Sequence, residues 1–249
     1  MTACSWRAGS APERAVRVIV AQSERLIRVI LPCFDPATWG PSLDAAVAAA
    51  ERGAVLVLPT DTVYGVGADA FQPDAVAAVL AAKGRGRQMP PPVLIPSVRT
   101  VDGLGRDVPA SARALMEAFW PGALTVIVWA QPSLAWDLGD TNGTVALRVP
   151  AHPAALALLE RTGPLAVTSA NLTGQPAATT AEGAREQLGD SVAVYLDGGD
   201  APLGVASTIV DATGDLLRIV RAGGVSREEL VEIVGEHALV PEDPTGAAG

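Results

Sequence analysis

The chain has 249 residues, 49% hydrophobic and only 18% charged, enough to bury a sizeable core in one large domain. Its formal charge of −9 argues against a protein that coats nucleic acid with its whole surface, while leaving a local basic site open. Two cysteines, Cys4 and Cys33, exclude a disulfide framework or a cysteine zinc site and suit a reducing cytoplasm. No apolar run reaches the roughly 18–20 residues of a membrane helix, and Met1 to Ser10 lacks the apolar stretch of a signal peptide.

Charge is placed unevenly. Residues 1–36 carry five arginines against three acids, and residues 222–249 carry six acids against Arg227. Both ends read as appendages. The expected organisation is an N-terminal extension over 1–36, floppy at its start, a body over 37–235 and an acidic Pro/Gly/Ala-rich tail over 236–249.

Taken in order, Ser42 caps a helix from Leu43 to Arg52, closed by Gly53. Ala54 to Leu58 is a buried strand. Pro73 opens a second helix that runs to Lys83 and stops at Gly84. Val93 to Ile95 is a strand, Ser111 to Phe119 a helix broken by Trp120-Pro121-Gly122, and Leu124 to Trp129 and Thr144 to Val149 are strands. A helix over Pro153 to Arg161 precedes strands at Leu165 to Thr168 and Ala193 to Leu196. Thr208 to Asp211 and Leu216 to Arg221 pair around a Gly214 turn, and Ser226 with Glu229 forms a capping box for a last helix to Val234. Short apolar strands alternating with helices predict an α/β domain, one twisted open sheet with helices outside it. The hairpin-like pairs make that sheet mixed.

Four polar clusters fall at strand or helix ends. Pro59 to Asp69 puts two hydroxyls, a carboxylate and a phenol just past a buried strand, where open α/β sheets bind ligands. Its Gly65-Val66-Gly67 mimics a dinucleotide fingerprint but stands too far from the strand. Lys83-Gly84-Arg85-Gly86-Arg87 leaves a helix C-terminus, where a capping role competes with Arg85 and Arg87 folding around one polyphosphate. Thr168-Ser169-Ala170-Asn171 offers donors at a strand exit. Ser207 begins a strand and Arg221 ends the next. Turn chemistry alone accounts for any one of these clusters, and less well for all four.

Lys83 is the only lysine, and the other 17 basic residues are arginine. One lysine kept against such a bias marks a place where a compact ammonium is needed and a planar guanidinium will not serve. There is no P-loop and no nucleophile elbow. The two histidines, His152 and His237, stand by no nucleophile, which argues against histidine-based acid/base or zinc chemistry. Lys, Arg, Ser, Thr and Asn remain, a set that binds anions and stabilises charge, as phosphoryl or nucleotidyl transfer requires.

These motifs together resemble the YrdC/Sua5 family, the L-threonylcarbamoyladenylate synthases, over roughly residues 42–235. The residues that carry the resemblance are Pro59 to Gly65, Ala82 to Arg85, Phe119 to Thr125, Leu147 to Pro150, Thr168 to Asn171 and Ser207 to Asp211. The family's Lys-x-Arg…Ser-x-Asn tetrad maps onto Lys83, Arg85, Ser169 and Asn171. The resemblance implies the family's YrdC-like fold with a concave substrate face. It also implies a cytoplasmic nucleotidyltransferase that converts L-threonine, bicarbonate (or CO2) and ATP to threonylcarbamoyl-AMP and pyrophosphate. Partner proteins then transfer the group to tRNA as t6A at position 37.

Under that resemblance, Lys83, Arg85, Thr168, Ser169, Asn171, Ser207 and Arg221 bind the nucleotide. Thr60, Thr62, Tyr64 and Arg148 line the threonine pocket. Mg2+ arrives with ATP, and no metal-ligating residues are expected. The chain departs from the family pattern at Gly86 to Pro92, where only Pro90 matches, and at Ile95 to Ser97, where the family often has a histidine. No second domain follows, so it looks like the short form. The alternative is a non-catalytic RNA- or nucleotide-binding module on the same fold, which the net charge and the 4% aromatic content disfavour. Carbamoyl-adenylate modules of hydrogenase-maturation proteins sit in much longer chains.

Overall fold

In the computed structural model the described residues are 29–241. The expectation of a floppy N-terminal start, and most of the acidic tail, therefore lie outside them. The strands are β1 (Val29–Pro32), β2 (Leu56–Leu58), β3 (Gly65–Asp69), β4 (Val93–Leu94), β5 (Gly105–Arg106), β6 (Leu124–Ala130), β7 (Thr144–Arg148), β8 (Leu165–Ser169), β9 (Val194–Asp197), β10 (Thr208–Asp211) and β11 (Arg218–Arg221). They form one sheet in the order β1-β9-β2-β3-β8-β4-β7-β6-β10-β11, with β5 pairing on β6.

The sheet is mixed, as expected. The β1/β9, β9/β2, β4/β7 and β6/β10 pairs are parallel, while β2/β3, β3/β8, β4/β8, β6/β7 and β10/β11 are antiparallel. Alternation along β2 shows why both faces must be covered. Leu56 and Leu58 enter one core cluster and Val57 another, all fully buried. The helices are α1 (Gly40–Glu51), α2 (Pro73–Ala82), α3 (Val101–Leu104), α4 (Ala110–Phe119), α5 (Pro153–Thr162), α6 (Ala181–Leu188) and α7 (Arg227–Val234). The Ala/Leu faces of α1 and α5 cover one cluster, α2 and α6 the second, and α4 and α7 a third under β6 and β7. Each fully buried leucine contributes about 1.5–3 kcal/mol.

Several boundaries differ from expectation. α1 starts at Gly40, and Ser42 is not its cap: the Ser42 hydroxyl donates to the Pro32 carbonyl at 2.7 Å. β1 precedes residue 37 and pairs with β9, so the sheet includes part of the stretch read as an extension. Leu239 is buried and bridges to Leu217, so the start of the tail packs on the body. Pro73, the Ser226/Glu229 capping box and Gly84, at φ +61°, sit as expected.

The sequence assigns no element to β3. Its Gly-Val-Gly sequence has poor strand propensity, yet it lies between two partners. A Cβ on Gly65 would stand 2.5 Å from Val167 Cγ1, and one on Gly67 would stand 2.7 Å from the Ala166 carbonyl. The glycine pair allows β8 to approach, which removes any need for a dinucleotide reading.

Candidate active site

The loop Pro59–Tyr64 leaves β2 beside the ends of β8 and β7 and the starts of β6 and β10, and a cavity of ≈ 230 Å³ opens there. Four strands thus deliver polar side chains to one place. The loop is internally tied: Thr60 Oγ1 donates to the Val63 carbonyl at 2.6 Å and lies 2.9 Å from Thr62 Oγ1. Arg148, at the end of β7, is 6% exposed and spends three donors on fixed acceptors. Its Nε donates to the Gly122 carbonyl, Nη1 to Thr62 Oγ1 and Nη2 to Asp61 Oδ1 at 2.7 Å. Asp61 Oδ1 also accepts from the Ala151 amide at 2.8 Å. Burial works against the Arg148 charge, and Asp61 works to restore it.

Two further guanidiniums face the cavity, with no carboxylate partner among the described residues. Arg85 donates from Nη1 to Thr168 Oγ1 at 2.9 Å, while its Nε is buried without an acceptor. Arg221 donates to the Ser207 carbonyl and hydroxyl, and Ser207 Oγ lies 2.8 Å from Thr125 Oγ1. Burial, and then the Arg85 charge, lowers the Arg221 pKa, so these cations raise each other's cost. An unpaired buried N–H costs about 1–3 kcal/mol. An anion entering here would satisfy it.

Among the described residues, no Asp, Glu, His, Cys or Lys lines the cavity. Its polar residues are Thr60, Thr62, Tyr64, Thr125, Thr141, Thr144, Thr168, Ser169, Ser207 and the three arginines, with Pro90–Pro92 and Leu138 forming apolar wall. The site can bind and polarise an anion, and its described residues offer no carboxylate, imidazole, thiol or amine as a general base.

Most of the expected site residues meet here: Thr60, Thr62, Tyr64, Arg85, Arg148, Thr168, Ser169, Ser207 and Arg221 all line the cavity. Tyr64 does so with its hydroxyl committed elsewhere, donating to the Gly199 carbonyl at 2.6 Å and accepting from the Gly198 amide. Burial pushes that phenol well above its ordinary range.

Lys83 and Asn171 do not line the cavity. Lys83, 3% exposed, donates from Nζ to the carbonyls of Ser169 and Asn171 and to Asn171 Oδ1. Asn171 Nδ2 donates to the carbonyls of Leu172 and Gln175. Arg85 and Arg87 take different partners here. Arg87 turns outward and pairs bidentately with Asp137 at 2.8 and 3.0 Å.

Asp61, Thr125 and Thr141 were given no role from sequence. Asp61 could have been found as the lone carboxylate in the hydroxyl-rich loop, since an arginine buried at 148 requires one. Thr125 lies in the Phe119–Thr125 motif, and Thr141 carries no local signal.

The family model Sua5_yciO_yrdC, described as "Telomere recombination", matches residues 48–223. The chain belongs to the Sua5/YciO/YrdC family. Within that family, a Mycobacterium tuberculosis (strain ATCC 25618 / H37Rv) protein, provisionally named a threonylcarbamoyl-AMP synthase, is 53% identical over 206 residues, 83% of this chain and 95% of that one. The Bacillus subtilis (strain 168) threonylcarbamoyl-AMP synthase is 39% identical over 201 residues, 80% of this chain and 58% of that one. The crystal structure of Pyrococcus abyssi Sua5 complexed with L-threonine superposes with a TM-score of 0.80 at 32% identity, covering 84% of this chain and 61% of that one. Among the described residues, no helix is long and apolar enough to cross a membrane.

Proposed function

We propose that this protein is a threonylcarbamoyl-AMP synthase, a nucleotidyltransferase acting on L-threonine, bicarbonate and ATP. The observation that carries the reading is the convergence of Arg85, Arg148 and Arg221 on one cavity, where among the described residues only Arg148 has a carboxylate partner, Asp61. A triphosphate matches that field, and arginine forks suit phosphate oxygens. The Bacillus relative carries the name of this activity, and the Pyrococcus abyssi structure holds L-threonine.

The chemistry follows from what the lining lacks. With no general base present, the nucleophile must arrive already anionic. The threonine amine, deprotonated in solution, adds through its nitrogen lone pair to CO2 derived from bicarbonate, the new C–N bond pushing the C=O π pair onto oxygen; the nitrogen then gives up one proton to water, and the resulting carbamate carries its own negative oxygen. That oxygen attacks the α-phosphorus of ATP. The bond from the α-phosphorus to the bridging oxygen breaks, and pyrophosphate leaves with the electron pair. Arg85 and Arg221 stabilise charge on the transferring phosphate, and Ser169 and Ser207 offer donors beside them. Arg148, held by Asp61 and Thr62, has N–H groups left for the threonine carboxylate.

Among the described residues, no group of three or more His, Cys, Asp or Glu could hold a metal ion. In this reading Mg2+ rides on the nucleotide's phosphates and has no protein cage. The product is a mixed anhydride, activated toward an amine nucleophile, and in this reading a separate enzyme passes the group to the amino group of a tRNA adenosine.

The test is pyrophosphate release from ATP and bicarbonate, with L-threonine against serine and no-amino-acid controls. Threonine-dependent release is expected. ATP or RNA binding without release would favour the non-catalytic module.

A further inference from the structure

We propose that His152 is a positioning residue for the Pro59–Tyr64 loop, which it wedges against the turn after β9. Its effect on catalysis rests on the reading of that loop as part of the threonine site. His152 stands at the N-cap of α5, but its side chain makes no capping hydrogen bond there. The ring lies instead in a three-way contact with Gly198 and Pro59. A Cβ on Gly198 would stand 2.8 Å from Pro59 Cγ and 2.9 Å from both Cε1 and Nε2 of His152. No side chain larger than hydrogen fits at 198 unless the imidazole or the proline moves. Three chain segments far apart in sequence thus meet at one close-packed point, and the imidazole fills it.

The same turn holds the other end of the loop. The Tyr64 hydroxyl accepts from the Gly198 amide at 3.1 Å and donates to the Gly199 carbonyl at 2.6 Å. The residue before His152 holds the middle, because the Ala151 amide donates to Asp61 Oδ1 at 2.8 Å. Residues 148–152 therefore support the loop at Asp61 and at Pro59. Thr60 and Thr62 then stand in the cavity wall, while His152 itself is not part of that wall.

The wedge works as the neutral ring. His152 Nδ1 is buried and has no hydrogen-bond partner. A neutral imidazole can leave an acceptor nitrogen idle there, whereas an imidazolium must put a second N–H in the same place. Burial holds the His152 pKa below its ordinary 6.5, against the pull of Asp61 and of the Gly198 backbone. The titratable and charged groups on the segments packed around it are Asp61 and Tyr64 in the loop, Arg148 on β7 and Asp197 on β9. Of these, Asp61 favours the proton. A folded value below the unfolded one means that the wedge is intact above it and is lost as the pH falls.

His152→Ala removes the wedge, and His152→Gln keeps a planar polar group that cannot take up a proton. In His152→Ala the KM for L-threonine should rise about 10-fold or more, with the dissociation constant for ATP within about twofold of wild type. His152→Gln should bring the threonine KM back to within about threefold of wild type. Wild-type kcat/KM for L-threonine should fall below about pH 6, and that acid limb should be missing in His152→Gln. An unchanged threonine KM in His152→Ala, an equal loss for threonine and ATP, or the same acid limb in His152→Gln would overturn the proposal. If His152→Ala does not fold, His152→Gln and the wild type decide. His152 is one of two histidines, and its ring 15N shifts should report a neutral imidazole at about pH 6 with the proton on Nε2. An imidazolium at that pH would overturn the proposal. If the wild type makes no threonylcarbamoyl-AMP, the functional reading fails, and amide exchange in the ligand-free protein decides the wedge. The Thr62 amide should exchange about 10-fold faster or more in His152→Ala, or in wild type taken below the His152 pKa once intrinsic rates are divided out. Unaltered exchange there would overturn it.

Discussion

Arg148 and Asp61 form a buried ion pair, Nη2 to Oδ1 at 2.7 Å, with side chains 7% and 11% exposed. The pair joins the end of β7 to the loop after β2 and so sets the shape of one side of the cavity. Removing one partner of such a pair leaves a buried uncompensated charge, at about 3–5 kcal/mol. Asp61→Ala should therefore lower unfolding free energy by that amount and abolish activity, as read by denaturant titration and turnover. The double variant Asp61→Leu/Arg148→Met should recover most of the stability and none of the activity. Equal destabilisation in the single and double variants would show that the pair is not the source.

Arg85 offers the opposite case, a cation without a carboxylate. Arg85→Ala should weaken ATP binding by roughly 10- to 150-fold, the equivalent of about 1.5–3 kcal/mol for a hydrogen bond to a charged group. Folding stability should stay level or rise, since the burial penalty and the repulsion from Lys83 and Arg221 are relieved. Isothermal titration and thermal unfolding check both halves. A destabilised variant with unchanged ATP affinity would contradict the role.

Gly65→Ala tests the close approach of β3 and β8. The added methyl would stand 2.5 Å from Val167 Cγ1, and overpacking of this kind costs about 1–3 kcal/mol. Val167→Ala should offset part of that loss, so the double variant should be less destabilised than the sum of the singles. Additive losses would mean that the strain lies elsewhere.

The depressed Lys83 pKa makes stability and activity diverge with pH. Its folded value is about 8 against an ordinary 10.5. Between those values the unfolded chain holds the proton that the folded chain has released. This group's contribution to stability therefore rises with pH across that window. A neutral amine has one donor fewer and a lone pair facing carbonyls, so the loop it holds loosens and turnover falls above about pH 8. In Lys83→Met that alkaline limb should be missing from the residual rate, and the stability gain should be missing from denaturation curves.

Much of the fold was legible because burial writes itself as apolar runs. β2, β6, β7, β8 and the β10/β11 hairpin all coincide with such runs. β3 was not legible: Gly65-Val66-Gly67 has the composition of a turn, and only its two neighbours make it a strand. α6 went unread because Ala181–Leu188 buries just three residues, Ala181, Ala184 and Leu188, among polar ones. At the site, residue types and order were legible, and nine of the expected residues do meet in one cavity. What sequence leaves open is which donors the protein spends on itself. Lys83 and Asn171 turn inward because carbonyls of the β8 exit loop converge there, and Arg87 turns outward because Asp137 lies within reach, facts that exist only after folding.

The most direct test of the central claim is to supply 13C-labelled bicarbonate with ATP and L-threonine and to examine the product by mass spectrometry. A threonine-linked adenylate carrying one 13C, formed with an equal amount of pyrophosphate, is the expected result. Pyrophosphate or phosphate released with no label in a threonine adduct, or with equal release when threonine is withheld, would contradict it.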